Sequence, residues 1–110
     1  SNEGLRSRFP VTIRFPNYGA SDCSLILKSM LEKEDYTLCS NFSEISEQYF
    51  TIFCKLENFA NARDVRSICD IIKDIHINRV ISSDTTDVND TITDDDLRQG
   101  FEIWNSSINL

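Results

Sequence analysis

The chain has 110 residues, of which 40% are hydrophobic and 10% aromatic, enough for one compact domain with a single modest core. Eleven basic residues against eighteen acidic ones give a net charge of −7, which argues against general binding to nucleic acid or to an anionic membrane. The apolar runs are far too short to span a bilayer, and no signal peptide is visible.

Val11-Thr12-Ile13-Arg14-Phe15 alternates apolar and polar residues between Pro10 and Pro16, the pattern of one short β-strand. A lone strand has no partner in the rest of the pattern, so its backbone hydrogen bonds must be made elsewhere. The remainder predicts helices. Ser21 is placed to cap a first helix running to about Glu34, with Ile26, Leu27, Met30 and Leu31 on one face. Asn41, with Glu44 three residues later, resembles a capping box and opens a second helix carrying Ile45, Tyr49, Ile52, Phe53 and Leu56.

The longest helix is predicted from about Asn61 to Ile81, with Val65, Ile68, Ile72, Ile75 and Arg79 on one face and Cys69 beside them. From Ser82 to Asp90 the periodicity is lost and the chain turns polar and acidic, as a mobile loop would. Thr93 with Asp96 caps a last helix holding Leu97, Phe101 and Trp104. The predicted order is strand, helix, helix, long helix, loop, short helix, with no internal repeat.

Little in this pattern supports catalysis by the chain alone. With three glycines in all, there is no Gly-x-x-x-x-Gly-Lys-Ser/Thr phosphate loop. The sole histidine, His76, falls in mid-helix and reads as a partly exposed structural residue rather than a base. Cys23, Cys39, Cys54 and Cys69 are widely spread and contain no Cys-x-x-Cys pair, so no metal site is expected. They read as reduced, mostly buried thiols of a reducing compartment. The acidic run through Asp84, Asp87, Asp90, Asp94, Asp95 and Asp96 fails the EF-hand test. Counting a loop from Asp87 puts Ile92 at the glycine position and Arg98 at the bidentate glutamate position. A solvated loop followed by an acidic helix start suffices, because carboxylates suit helix N-termini. Three Asn-x-Ser/Thr matches, at Asn41, Asn89 and Asn105, are read as coincidence in a chain rich in these residues.

The arginines are different. Arg63 lies at the predicted start of the longest helix, where the backbone carries partial positive charge and favours anions. On the residues alone, Arg63 and Arg66 are surface arginines beside Asp64 and Asp70, pairs worth little. Four segments in order add a resemblance: Gly4-Leu5-Arg6-Ser7-Arg8-Phe9, Ile13-Arg14-Phe15-Pro16-Asn17-Tyr18, Tyr36-Thr37-Leu38, and Phe59-Ala60-Asn61-Ala62-Arg63-Asp64-Val65-Arg66. Together they resemble the C-terminal portion of AAA+ ATPases of the CbbX and stage V sporulation protein K group, whose CbbX-type members are activases that remodel inhibited rubisco. The departures are Glu3 where relatives usually carry proline, Ala60 for a common glycine, and Ser67 for a frequent asparagine.

The resemblance implies a mainly α fold, a small four-helix AAA+ lid bundle preceded by a short residual β-strand. Residues 1–16 would end the large ATPase subdomain and 17–110 would form the helical lid. Arg8, or failing it Arg6, would be the arginine finger that reaches ATP in a neighbouring subunit. Arg63 would be the sensor-2 arginine on the phosphates of its own subunit's ATP, supported by Arg66. The implied cofactors are ATP and Mg2+ in the whole protein, with neither expected on this segment alone. The implied partners are neighbouring subunits in a ring, expected to be a hexamer, and a protein substrate. The implied setting is the cytoplasm, or the plastid stroma. The competing expectation is a free-standing helical adaptor that binds proteins through an exposed apolar face.

Overall fold

A computed structural model describes residues 19–82 and 90–108. The predicted strand, Arg6, Arg8 and most of the predicted mobile loop lie outside these residues.

Four helices form as the periodicity predicts: α1 Ala20–Lys33, α2 Phe42–Phe53, α3 Asn61–Ser82 and α4 Asp94–Ile108. They alternate in direction, so that α1 and α3 run one way and α2 and α4 the other. α3 packs on α4 and α1, and α2 on α1 and α4. Two strands of two residues each were not foreseen, β1 Thr37–Leu38 and β2 Thr91–Ile92. Each immediately precedes a helix of the same direction, and they pair in parallel with Thr37 opposite Thr91 and Leu38 opposite Ile92. The Thr37 amide donates to the Asp90 carbonyl at 3.0 Å and the Cys39 amide to the Ile92 carbonyl at 3.1 Å. Two residues carry no alternation to read, which is why this clip is invisible in the sequence.

The helix ends follow local chemistry. α1 begins one residue before Ser21. Gly19 is its N-cap, and the Asp22 carboxylate accepts from the Gly19 amide at 3.1 Å, in place of the expected Ser21 cap. Asn41 is the N-cap of α2, as expected, but its side chain makes no capping bond. α1 ends in a Schellman turn. The Tyr36 amide donates to the Leu31 carbonyl and the Asp35 amide to the Glu32 carbonyl, with Asp35 left-handed at φ 68°. The capping box of α4 forms in both directions: the Asp96 amide donates to Thr93 Oγ1 at 3.1 Å and the Thr93 amide to an Asp96 oxygen at 3.0 Å.

Most of the core's aromatic rings gather at one end, with Phe42 at the opposite end of α2. Phe50, Phe53 and Phe101 are fully buried, with Phe50 edge-on to Phe101 at 5.3 Å and Phe53 tilted against Trp104 at 4.6 Å. On α2, Phe50 joins Ile45 and Phe53 inside, whereas Ile52 is 60% exposed. α3 and α4 approach so closely that a Cβ at Gly100 would lie 2.5 Å from Ile72 Cγ1. α1 and α2 meet over small residues, where the buried Ser24 and Ser46 hydroxyls sit 2.6 Å apart and Ser46 also donates to the Phe42 carbonyl at 2.8 Å.

His76 is buried, contrary to the partly exposed position expected of it. The Schellman turn folds Tyr36 back over α3, and the two rings meet edge to face at 5.2 Å. Arg79 explains its own place on an apolar face. Its Nε and one terminal nitrogen donate to the two oxygens of the fully buried Asp96, at 3.0 and 2.9 Å, and that nitrogen also reaches the Thr91 carbonyl at 3.0 Å. Part of the acidic helix start is therefore structural rather than solvated.

Candidate functional site

The α2–α3 connection, residues 54–60, delivers the chain to the α3 N-terminus at the aromatic end of the bundle. Phe59 closes this turn, with its amide on the Leu56 carbonyl at 3.2 Å and its ring perpendicular to Trp104 at 5.7 Å. The first turn of α3 leaves backbone N–H groups without intrahelical acceptors. Asp64 serves one of the amides at this end, accepting from Ala60 N–H at 2.7 Å. Asn61 is turned inward and donates to Cys23 Sγ at 3.4 Å.

Arg63 stands on this turn with its side chain 75% exposed, and its Nε lies 3.8 Å from an Asp64 oxygen. A contact of that length at the surface holds a guanidinium only weakly, worth on the order of 0–1 kcal/mol. Arg66, three residues on, is also exposed. Asp70, the other anticipated partner, sits instead 3.5 Å from Lys73, which also bonds Glu34 at 2.8 Å.

Beside Arg63 runs an open groove of about 460 Å³. Leu56, Phe59, Trp104 and Ile108 supply its apolar wall, and Glu57, Asn58, Arg63 and Asp64 its polar rim. The arrangement offers an exposed guanidinium, a helix N-terminus and an adjoining aromatic surface, with the carboxylates of Glu57 and Asp64 beside them. Sequence reasoning found Arg63 but missed the groove. Trp104 reads as core from its helical spacing and is 95% buried, so its contribution to a surface feature has no signal in the pattern.

Among the described residues no helix is long and apolar enough to cross a membrane, and no three His, Cys, Asp or Glu side chains gather as metal ligands would. No disulfide links the four cysteines. Cys23 and Cys69 are buried, while Cys39 and Cys54 are partly so. The large exposed apolar side chains, Leu25, Ile52, Ile77 and Ile103 among them, are distributed over all four helices.

The domain is an up-and-down bundle of four helices whose two same-end connections are clipped by a minimal parallel sheet. The chain belongs to the AAA lid domain family, whose pattern matches residues 23–106. It is similar to the CfxQ proteins. A CfxQ homologue of Guillardia theta is 35% identical over 83 residues, covering 76% of this chain and 28% of that protein. The chloroplastic ribulose bisphosphate carboxylase/oxygenase activase of Cyanidioschyzon merolae is 31% identical over 83 residues, with the same two coverages. CfxQ of Xanthobacter flavus is 37% identical over 70 residues, 64% of this chain and 22% of that protein. The chain thus spans under a third of the length of these relatives. No solved structure matches it.

Proposed function

We propose that this domain is the nucleotide-sensing lid of a AAA+ ATPase that couples ATP binding and hydrolysis to the remodelling of a protein partner. The observation that carries the reading is Arg63, three-quarters exposed on the first turn of α3 and held only by a 3.8 Å contact with Asp64. A guanidinium in that position has no strong internal partner to give up. It can move to a phosphate oxygen with the helix dipole acting in the same direction. Arg63 therefore serves as the side chain that binds the phosphates of its own subunit's ATP, and Arg66 adds positive potential one turn later.

ATP with Mg2+ supplies the transferable phosphoryl group. The residues of this domain bind and orient; none of them is asked to break a bond. Arg8, with Arg6 as the alternative, acts on a neighbouring subunit's nucleotide by neutralising charge that develops in the transition state. This requires a ring of subunits, for which a hexamer is the working geometry. The relatives named as CfxQ and rubisco activase favour a protein substrate, with the cytoplasm or plastid stroma as its setting.

The test is Arg63→Ala in the full-length ATPase. ATP affinity should weaken by about tenfold or more, as for loss of one charge-assisted contact of about 1.5–3 kcal/mol, and turnover should fall with it. Unchanged affinity and turnover would remove Arg63 from the site. The 110-residue chain alone should show no magnesium-dependent ATP hydrolysis.

A further inference from the structure

Two thiols that the nucleotide reading does not use face each other at the same end of the bundle. Cys23 lies in the first turn of α1, its amide on the Gly19 carbonyl at 3.1 Å. Cys54 caps the C-terminus of α2, its amide on the Phe50 carbonyl at 2.9 Å. Their sulfurs are 3.8 Å apart, although the residues are 31 positions apart in sequence. Cys23 is fully buried, whereas Cys54 is partly exposed. A disulfide requires the sulfurs to come to about 2.05 Å. At 3.8 Å the two sulfurs are already in contact, and the backbone amide of each cysteine is held in a helical hydrogen bond.

We propose that Cys23 and Cys54 form a dithiol–disulfide redox site that staples the start of α1 to the end of α2 under an oxidising low-molecular-weight disulfide such as oxidised glutathione. The order of events follows from exposure. The Cys54 thiolate attacks glutathione disulfide, forming a mixed disulfide and expelling one glutathione thiolate. Cys23, losing its proton, then attacks Cys54 Sγ and expels the second. Two protein thiols are oxidised, one glutathione disulfide is reduced to two thiols, and the two protons end on them. Burial pushes the Cys23 thiol up to about 12, with the bond from the Asn61 amide acting in the opposite direction. The second step is therefore slow at neutral pH and quickens as pH rises and more of Cys23 becomes thiolate. Asn61 donates to Cys23 Sγ and opens α3, so the staple adjoins the turn that carries Arg63. The redox site stands on its own geometry and holds whether or not Arg63 meets phosphate.

The test equilibrates the purified chain in glutathione redox buffers at several pH values, traps thiols with acid and an alkylating agent, and maps peptides by mass. The expected product has lost two hydrogens, contains a Cys23–Cys54 cross-linked peptide, and forms equally in a Cys39→Ser/Cys69→Ser variant. Cys23→Ser should instead stop at a glutathione adduct on Cys54. The cross-linked chain should melt roughly 10 °C or more above the reduced one, as a loop of this size implies. A stable glutathione adduct on Cys54 of the unaltered chain, cross-links through Cys39 or Cys69, no oxidation at all, or a cross-linked chain that melts lower would each overturn the proposal.

Discussion

Replacing Asp96 with alanine should be among the most damaging single changes in this domain that leave its apolar core intact. The carboxylate is fully buried and does three things at once: it accepts two bonds from Arg79 and one from the Thr93 amide. A charge-assisted bond contributes about 1.5–3 kcal/mol and an N-cap about 1 kcal/mol. Arg79 is 39% exposed, so part of its lost attraction is recovered by water and the full penalty for a stranded buried charge does not apply. The expected cost is about 3 kcal/mol, a large share of the roughly 5–15 kcal/mol that stabilises a typical domain.

Urea unfolding followed by fluorescence of the buried Trp104 measures this directly. With a slope of about 1.5 kcal/mol/M the midpoint should drop by about 2 M. Arg79→Met should lose less, and the double variant should show a coupling of about 1.5 kcal/mol or more. A loss below about 1 kcal/mol, or a coupling near zero, would refute the assignment of Asp96 and Arg79 as the lock on this end of the bundle. The pH dependence gives a second reading. Burial pushes the Asp96 carboxyl up, but the bonds from Arg79 and Thr93 outweigh it and hold the group below the ordinary carboxylate range. The folded value lies below the unfolded one, so this stability is fully present above about pH 4 and is lost as pH falls through the lowered folded value. Asp96→Asn should lack that acid-side loss.

Three further outcomes follow from particular contacts. Gly100→Ala should destabilise by about 1–3 kcal/mol in thermal or chemical unfolding, because the new methyl would press on Ile72 and separate α3 from α4. Asp35→Gly should stabilise by up to about 1 kcal/mol by relieving a left-handed backbone in the Schellman turn, and a loss of stability would show that the Asp35 side chain matters there. Arg63→Ala in the isolated chain should leave stability within about 0.5 kcal/mol, which separates its proposed role at nucleotide from any role in folding.

The sequence carried the helices because each has a stripe that repeats over several turns, and α4 was legible to its caps because Thr93 and Asp96 are a local pair. The start of α1 was misplaced by two residues, since Asp22 reaches back to a bare Gly19 amide and Ser21 is not needed. Phe50 and His76 were misjudged for one shared reason. Each lies at the margin of its helix's stripe, and only the direction from which a neighbouring element arrives decides which margin is covered. Arg63 was legible as an anomaly in charge against helix polarity. Its groove was not, because Phe59, Trp104 and Ile108 converge from two distant segments and no one of them is unusual alone. The Cys23–Cys54 approach was hidden in the same way, since a spacing of 31 residues matches no local motif.

The parallel clip has a mechanical meaning. β1 and β2 join both helix connections at the end of the bundle farthest from Arg63, and Arg79 binds the Thr91 carbonyl and Asp96 at the same place. α3, with 22 residues, is a rod of about 33 Å. One end is clamped and the other carries the guanidinium. If such a rod tilts by about 10° about its free tip, the clamped end sweeps about 6 Å, and the clip obliges the starts of α2 and α4 to travel with it. A small rotation about the end that carries Arg63 would therefore show itself as a movement of the far end as one body, because the clip ties the two connections together there.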